Sequence, residues 1–153
     1  MLNIRNSAKA IIICEDRLLL IRNKDADGDW FSLPGGGQHH GETLHDALRR
    51  ECLEEIGVHV DVGELRLVRE YIGKHHEFAA HDGDVHQVEF MFECRIDPSV
   101  TPVTGQTPDT QQTGIAWISL GQLPDCNVFP RAIREVLKNG LFVAAPHYLG
   151  DVN

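Results

Sequence analysis

No two cysteines stand at CxxC spacing: Cys14, Cys52, Cys94 and Cys126 are scattered over 153 residues. Neither a zinc ribbon nor a thioredoxin-like redox motif is therefore expected. Cys14 and Cys94 sit in apolar runs and read as small core residues, which fits a reducing cytosol. Long apolar runs are also lacking. The first, residues 10–14, meets Glu15 and Asp16 after five residues. A signal peptide needs roughly 7–15 apolar residues and a membrane helix about 20, so neither is expected. Positive charge is scarce: 14 Lys and Arg against 23 Asp and Glu leave a net charge of −9. That excludes a broad basic footprint for nucleic acid or an anionic membrane. It does not exclude a phosphate-bearing substrate, because divalent cations can lie between two anions. No repeat, low-complexity tract or linker divides the chain, so residues 1–153 read as a single domain.

What is present is ordinary for a globular chain: 42% hydrophobic and 24% charged residues. A chain of this length buries roughly 68–70% of its unfolded surface and needs no staple. Residues 8–14 and 17–22, rich in Ile and Leu, read as two strands of a hairpin about Glu15 and Asp16. Residues 23–29 are polar and end in a Gly28-Asp29 turn signal. The run Leu33-Pro34-Gly35-Gly36-Gly37 cannot be helix. Residues 43–56 can. Thr43 with Asp46 resembles a capping box, Leu44, Ala47, Leu48, Cys52 and Ile56 keep an apolar stripe, and Gly57 stops the helix. Residues 64–73 and 85–96 read as strands. In the second, Val88, Phe90, Phe92 and Cys94 take one face, and Gln87, Glu89, Met91 and Glu93 the other. A histidine-rich loop, residues 75–84, lies between them and reads as polar surface. Residues 98–114 form a long loop, 115–118 a short strand and 130–139 a second helix. The order predicts an α+β fold, a mixed sheet covered by helices.

Helical spacing makes Glu51, Glu54 and Glu55 neighbours on one face. Three adjacent carboxylates repel one another, and a hard divalent cation relieves the repulsion. Oxygen-only ligands favour Mg2+, with Mn2+ as a substitute, over zinc. The glycine-rich loop precedes this helix directly and can bring backbone close to a ligand. Arg50 is within reach of neighbouring carboxylates and can orient a glutamate or meet a phosphate. Such parts suit metal-assisted hydrolysis of a phosphoanhydride. Coupled carboxylates titrate together, so spacing alone names no general base.

The pattern formed by Gly36, Glu42, Arg50-Glu51-Cys52-Leu53-Glu54-Glu55-Ile56-Gly57-Val58 resembles the Nudix box, G-x5-E-x7-R-E-U-x-E-E-x-G-U, where U is bulky and apolar. Its seven fixed positions match without a gap; a chance match is roughly one in a billion per window at average residue usage. Cys52 at an apolar position is the one departure. Residues 30–36 and 115–123 are similar to the family's flanking segments, so the resemblance covers roughly residues 8–138.

The resemblance implies a Nudix fold, a mixed curved β-sheet sandwiched between helices as an α/β/α sandwich. It also implies a Mg2+-dependent, MutT-like hydrolase of small nucleotides. The scattered cysteines point to a cytoplasmic protein, and monomer or homodimer is expected. Such enzymes cleave a nucleoside diphosphate linked to another group, releasing a nucleoside monophosphate and a second phosphorylated product. ADP-ribose, a nucleotide sugar or a nucleoside triphosphate are the candidate substrates. By position, Glu54, Glu51 and Arg50 carry catalysis. Glu51, Glu54, Glu55 and the Gly35 carbonyl hold metal, with Glu89 as a ligand from outside the box. Gly36, Gly37, Glu42, Trp30 and Arg22 fall on the substrate side, with Glu42 supporting the loop–helix turn. Glu93 shares the strand face with Glu89, and Asp109 is the sole acid of the long loop. His39 and His40 lie beside the box. A non-catalytic nucleotide sensor on the same fold and an RNA 5′-end pyrophosphohydrolase are the alternatives. The intact glutamates weigh against the first and the net charge against the second.

Overall fold

A computed structural model describes residues 1–140 and 147–153. In chain order it contains β1 (Arg5–Ile11), β2 (Ile13–Cys14), β3 (Arg17–Asp25), β4 (Gly28–Ser32), β5 (Gly35–Gly37) and α1 (Leu44–Ile56). There follow β6 (Asp61–Ile72), a 3-10 turn at Gly73–His75, α2 (Ala79–Asp82), β7 (His86–Arg95) and β8 (Gln112–Ser119). A 3-10 segment at Leu120–Asp125, β9 (Val128–Phe129), α3 (Ala132–Leu137) and β10 (Tyr148–Asp151) complete the chain. The class is α+β, and the mixed β-structure is divided between two sheets. One runs β10-β6-β7-β1-β5; the other runs β2-β3-β4-β9, with β8 joined to β3. Helix α1 packs against β1, β5 and β6, and α3 against β9.

Two apolar clusters hold these layers. Ala8, Ala10 and Ile12 meet Leu48, Cys52 and Ile56 of α1, together with Phe92 and Cys94 of β7. Ile11, Leu20, Leu67 and Met91 meet Leu123, Ile133 and Leu137 on the other side. Strand β1 therefore feeds both clusters by its period of two. Helix α1 begins where the sequence places it. Thr43 is extended, and its hydroxyl accepts from the Asp46 N–H at 3.1 Å. Such a cap stabilises by about 1 kcal/mol. Leu48 is fully buried, so Leu48→Ala is expected to cost about 2–5 kcal/mol.

The expected hairpin is shorter than its first strand. The chain breaks at Ile12: β2 and β3 form the hairpin about Glu15 and Asp16, both with positive φ. Strand β1 instead crosses to the other sheet, parallel to β7 and antiparallel to β5. Cys14 is exposed at the hairpin end rather than in the core, whereas Cys94 is buried. Residues 23–29 are not a loop throughout, since β3 continues to Asp25 and β4 starts at Gly28. The expected polar face of β7 is covered as well: Met91 is in the core and Glu89 is 4% exposed. The histidine-rich segment holds α2 and is not wholly loop. The first six residues of the apolar tail from Leu141 lie outside the described residues. Beyond them, β10 pairs in parallel with β6. Among the described residues no helix is long and apolar enough to cross a membrane.

Candidate functional site

The box residues are drawn together by one guanidinium. Arg50, in the second turn of α1, donates Nε to Glu42 Oε1 at 2.7 Å and Nη2 to Glu42 Oε2 at 3.0 Å. This is the planar fork-to-carboxylate pairing that lysine cannot reproduce. Its Nη1 reaches Glu51 Oε1 at 2.9 Å and Glu54 Oε2 at 3.5 Å, and Nη2 also donates to the Gly37 carbonyl at 3.0 Å. Arg50 thus ties the glycine loop to three box carboxylates, Glu42, Glu51 and Glu54. Glu42 closes the turn before the helix, accepting the His39 N–H at 2.9 Å. The hydrogen bonds from Arg50, then that from His39, pull the Glu42 carboxyl down to about 2. Glu42 is therefore an anchor for Arg50. His40, beside it, is exposed.

Glu51 lies over the glycine loop, so close that a Cβ on Gly36 would stand 2.6 Å from its Cδ. Glu55 goes deeper, at 3% exposed. Its Oε2 accepts the Gly35 N–H at 3.3 Å. Burial, opposed by Lys9 and by that N–H and reinforced by Glu51 and Asp109, pushes its carboxyl up to about 8. Gly35 has φ +128, and a Cβ there would stand 2.1 Å from the Ala8 carbonyl. Only glycine fits this approach of β5 to β1. The Gly35 carbonyl is turned the other way and accepts from Lys9 Nζ at 2.9 Å.

The long loop is fastened to the end of α1. The Val103 N–H donates to the Ile56 carbonyl, and the Gly105 N–H and Gln112 Nε2 both donate to the Glu55 carbonyl. These bonds satisfy carbonyls that a helix C-terminus leaves without partners. They also carry Asp109, Thr110 and Gln111 to a cavity of about 380 Å³ between the sheets. Trp30, Asn23 and Ser32 line it from one sheet, Lys9, Arg69 and Glu89 from the other, and Phe129 and Pro130 from beside β9. Trp30 and Phe129 meet edge to face, with centroids 6.2 Å apart. The volume lies within the usual range for small-molecule sites.

The structure separates some residues that the sequence grouped. Arg22 pairs with Phe31 across the hairpin, on the face opposite Asn23 and Trp30, and its guanidinium lies over the Phe31 ring. It is exposed and not in the cavity wall. Glu89 reaches the cavity, but in a buried ion pair: Oε2 accepts Arg69 Nε at 2.5 Å and Oε1 accepts Gln87 Nε2 at 2.7 Å. Burial works to raise its carboxyl, yet the charges of Arg69 and Lys9 and these hydrogen bonds hold it below its ordinary value. Glu93 is engaged by Arg66. His75 and His76 bond Asp151 of β10 instead of facing the box. Sequence reasoning missed Lys9 and Arg69. For Lys9 the signal was a cation between two alanines in the apolar half of its strand; nothing local singled out Arg69 among the charged residues of β6.

Among the described residues, no three His, Cys, Asp or Glu side chains already enclose a point for a metal ion. Arg50 stands between Glu51 and Glu54, and Lys9 stands on Gly35. The donor chemistry nevertheless fits a hard divalent ion: three glutamates and one backbone carbonyl, all oxygen. Glu55 is a buried carboxyl whose charge lacks a full partner, which a cation would supply.

The comparisons agree on the family and the fold. The chain is 29% identical over 142 residues to a "MutT-like protein" of Streptomyces ambofaciens, covering 92% of this chain and 79% of that one. A NUDIX hydrolase structure from Nitrosomonas europaea superposes with a TM-score of 0.72 at 21% identity, covering 97% of this chain and 78% of that one. An ADP-ribose pyrophosphatase of Streptococcus suis superposes with a TM-score of 0.58 at 19% identity, covering 97% and 98%. A NUDIX domain model matches residues 4–139, and the chain therefore belongs to the Nudix family of hydrolases, which act on pyrophosphate bonds and generally require a divalent metal ion.

Proposed function

We propose that this enzyme hydrolyses a small nucleoside diphosphate linked to another group, with Mg2+ as its metal and Mn2+ as a substitute. The products are a nucleoside monophosphate and a second phosphorylated compound. ADP-ribose and other nucleotide sugars are the first candidates, followed by nucleoside triphosphates. The observation that carries this reading is the gathering of Glu51 and Glu54 by Arg50, beside a buried Glu55, on a glycine loop linked to the cavity wall through Lys9, which bonds the Gly35 carbonyl.

Glu51, Glu54, Glu55 and the Gly35 carbonyl would hold the metal. Bound there, the ion supplies charge neutralisation for the phosphates and lowers the pKa of water. Arg50 keeps Glu51 and Glu54 oriented, and Glu42 fixes Arg50 through its fork. Glu54 is the most exposed of the three carboxylates on Arg50, at 38% against 18% for Glu42 and 14% for Glu51. We assign it to hold the attacking water and take its proton. Gly36 and Gly37 bring backbone to the phosphates without side-chain obstruction. The cavity receives the organic end of the substrate, with Trp30 and Phe129 as apolar walls and Asn23 and Asp109 as polar contacts. Glu89 acts there through Arg69 and is not a primary ligand, and Arg22 has no substrate contact. The chain works in the cytoplasm on a small nucleotide and not on nucleic acid.

The test is a panel of ADP-ribose, nucleotide sugars, dinucleoside polyphosphates and nucleoside triphosphates with Mg2+, products separated by anion exchange. Selective cleavage to a monophosphate, lost in Glu54→Gln, is expected. Binding without turnover across the panel, with Mn2+ also tried, would replace this reading with a nucleotide sensor.

A further inference from the structure

Lys9 is a charge inside the most apolar part of β1, between Ala8 and Ala10, which are fully buried. Its direction is set by the sheet. In the antiparallel ladder of β1 and β5, Lys9 is the register partner of Gly35, and Nζ donates to the Gly35 carbonyl at 2.9 Å. The N–H of the same glycine is held by Glu55. Gly35 is therefore clamped by an ammonium on its carbonyl and a carboxylate on its N–H. The charge of Lys9 also acts on Glu55 and Glu89, the two buried acids on either side of it. Arg50 does the corresponding work for Glu51 and Glu54. Every oxygen donor assigned above except Glu55 is thus in contact with one of the chain's own cations.

An ammonium and a divalent ion on one carbonyl oxygen repel strongly in a partly buried site. We infer that Lys9 is a positioning residue which holds the Gly35 carbonyl and must yield it on metal binding, thereby setting the metal affinity of the site. The inference rests on the reading of Gly35, Glu51, Glu54 and Glu55 as the metal ligands. The positive charge of Lys9 is what an incoming ion must displace.

The experiment measures Mn2+ binding without nucleotide, by the electron paramagnetic resonance signal of free Mn2+. The proteins are wild type, Lys9→Met, Lys9→Gln, Lys9→Arg and Glu54→Gln, each first checked by thermal unfolding. Lys9→Met and Lys9→Gln remove the charge at similar length and are expected to bind Mn2+ roughly tenfold or more tightly. Lys9→Arg keeps the charge and is expected to stay near wild type. Glu54→Gln is expected to bind more weakly. Wild-type or weaker affinity in both neutral variants, with Glu54→Gln weakened, overturns the inference and leaves the metal-site reading standing. Tightening in Lys9→Arg equal to that in Lys9→Met overturns it too, because charge would not be the cause. Unchanged binding in Glu54→Gln, or none in wild type, overturns the metal-site reading and this inference with it.

Discussion

Burial makes an ionised Glu55 costly, and replacing it with Gln tests that directly. The residue is 3% exposed, and its carboxyl is pushed from an ordinary 4.5 up to about 8, first by burial. At 1.36 kcal/mol per pH unit, that displacement corresponds to a stability loss of about 5 kcal/mol once the group is ionised in both states. The sign follows from a raised folded-state pKa. Below about pH 4.5 the group is protonated whether folded or unfolded, and nothing is lost. Between about 4.5 and 8 the folded state retains a proton that the unfolded state has released, so stability falls as pH rises. Gln keeps an oxygen for the Gly35 N–H and carries no charge. In EDTA, Glu55→Gln is therefore expected to match wild type near pH 4.5 and to exceed it by up to about 5 kcal/mol at pH 9. Saturating Mg2+ should narrow the gap, because the ion stabilises only the wild-type carboxylate. Urea unfolding at pH 4.5, 7 and 9, with EDTA or Mg2+, measures this. A stability difference independent of pH, or a variant weaker than wild type at pH 9 in EDTA, would refute the reasoning.

Other expectations concern the residues around it. Arg50→Lys keeps the charge but loses the fork to Glu42 and the bridge to Glu51 and Glu54; steady-state kinetics should show kcat down by roughly a hundredfold from misplaced groups, with folding retained by circular dichroism. Glu89→Gln leaves Arg69 without its buried carboxylate and should destabilise by about 3–5 kcal/mol in urea titrations, while the Mg2+ concentration for half-maximal activity stays near wild type. Burial works to raise the Asp151 carboxyl, but hydrogen bonds from His76, His75 and the Ile72 N–H prevail and hold it well below its ordinary value. It therefore stabilises the fold above about pH 3.8 and loses that contribution as pH falls further. Thermal melts should show Asp151→Asn weaker than wild type at pH 6 and converging with it towards pH 2.

Helix α1 was legible because its signals are local. Thr43, Asp46 and Gly57 are contiguous with the apolar stripe they bound, and the three glutamates fall on one face by spacing alone. The crossing at Ile12 was not legible. Residues 10–14 form one unbroken apolar run, so nothing in the pattern marks where β1 ends and β2 begins. Cys14 was misplaced for that reason: it was read as core within one long strand, whereas it ends the short β2 at the exposed tip of the hairpin. Periodicity gave Glu89 its face but not its partner, since Arg69 is 20 residues away and meets it only through the β6–β7 register. The cavity depends still more on tertiary structure, because the long loop reaches it only by capping the end of α1. The clasp of His75 and His76 on Asp151 joins segments about 75 residues apart and leaves no local trace.

The central claim is that Glu51, Glu54 and Glu55 form a metal centre for phosphoanhydride hydrolysis. Titrating Mg2+ into a turnover assay on ADP-ribose and the other panel nucleotides, with wild type and Glu54→Gln side by side, tests it most directly. Saturable, Mg2+-dependent release of a nucleoside monophosphate by wild type on at least one nucleotide is expected. Glu54→Gln is expected to be slower by roughly a hundredfold or more at every Mg2+ concentration, as for loss of a general base. Near-normal Mg2+-dependent turnover in Glu54→Gln would contradict the claim.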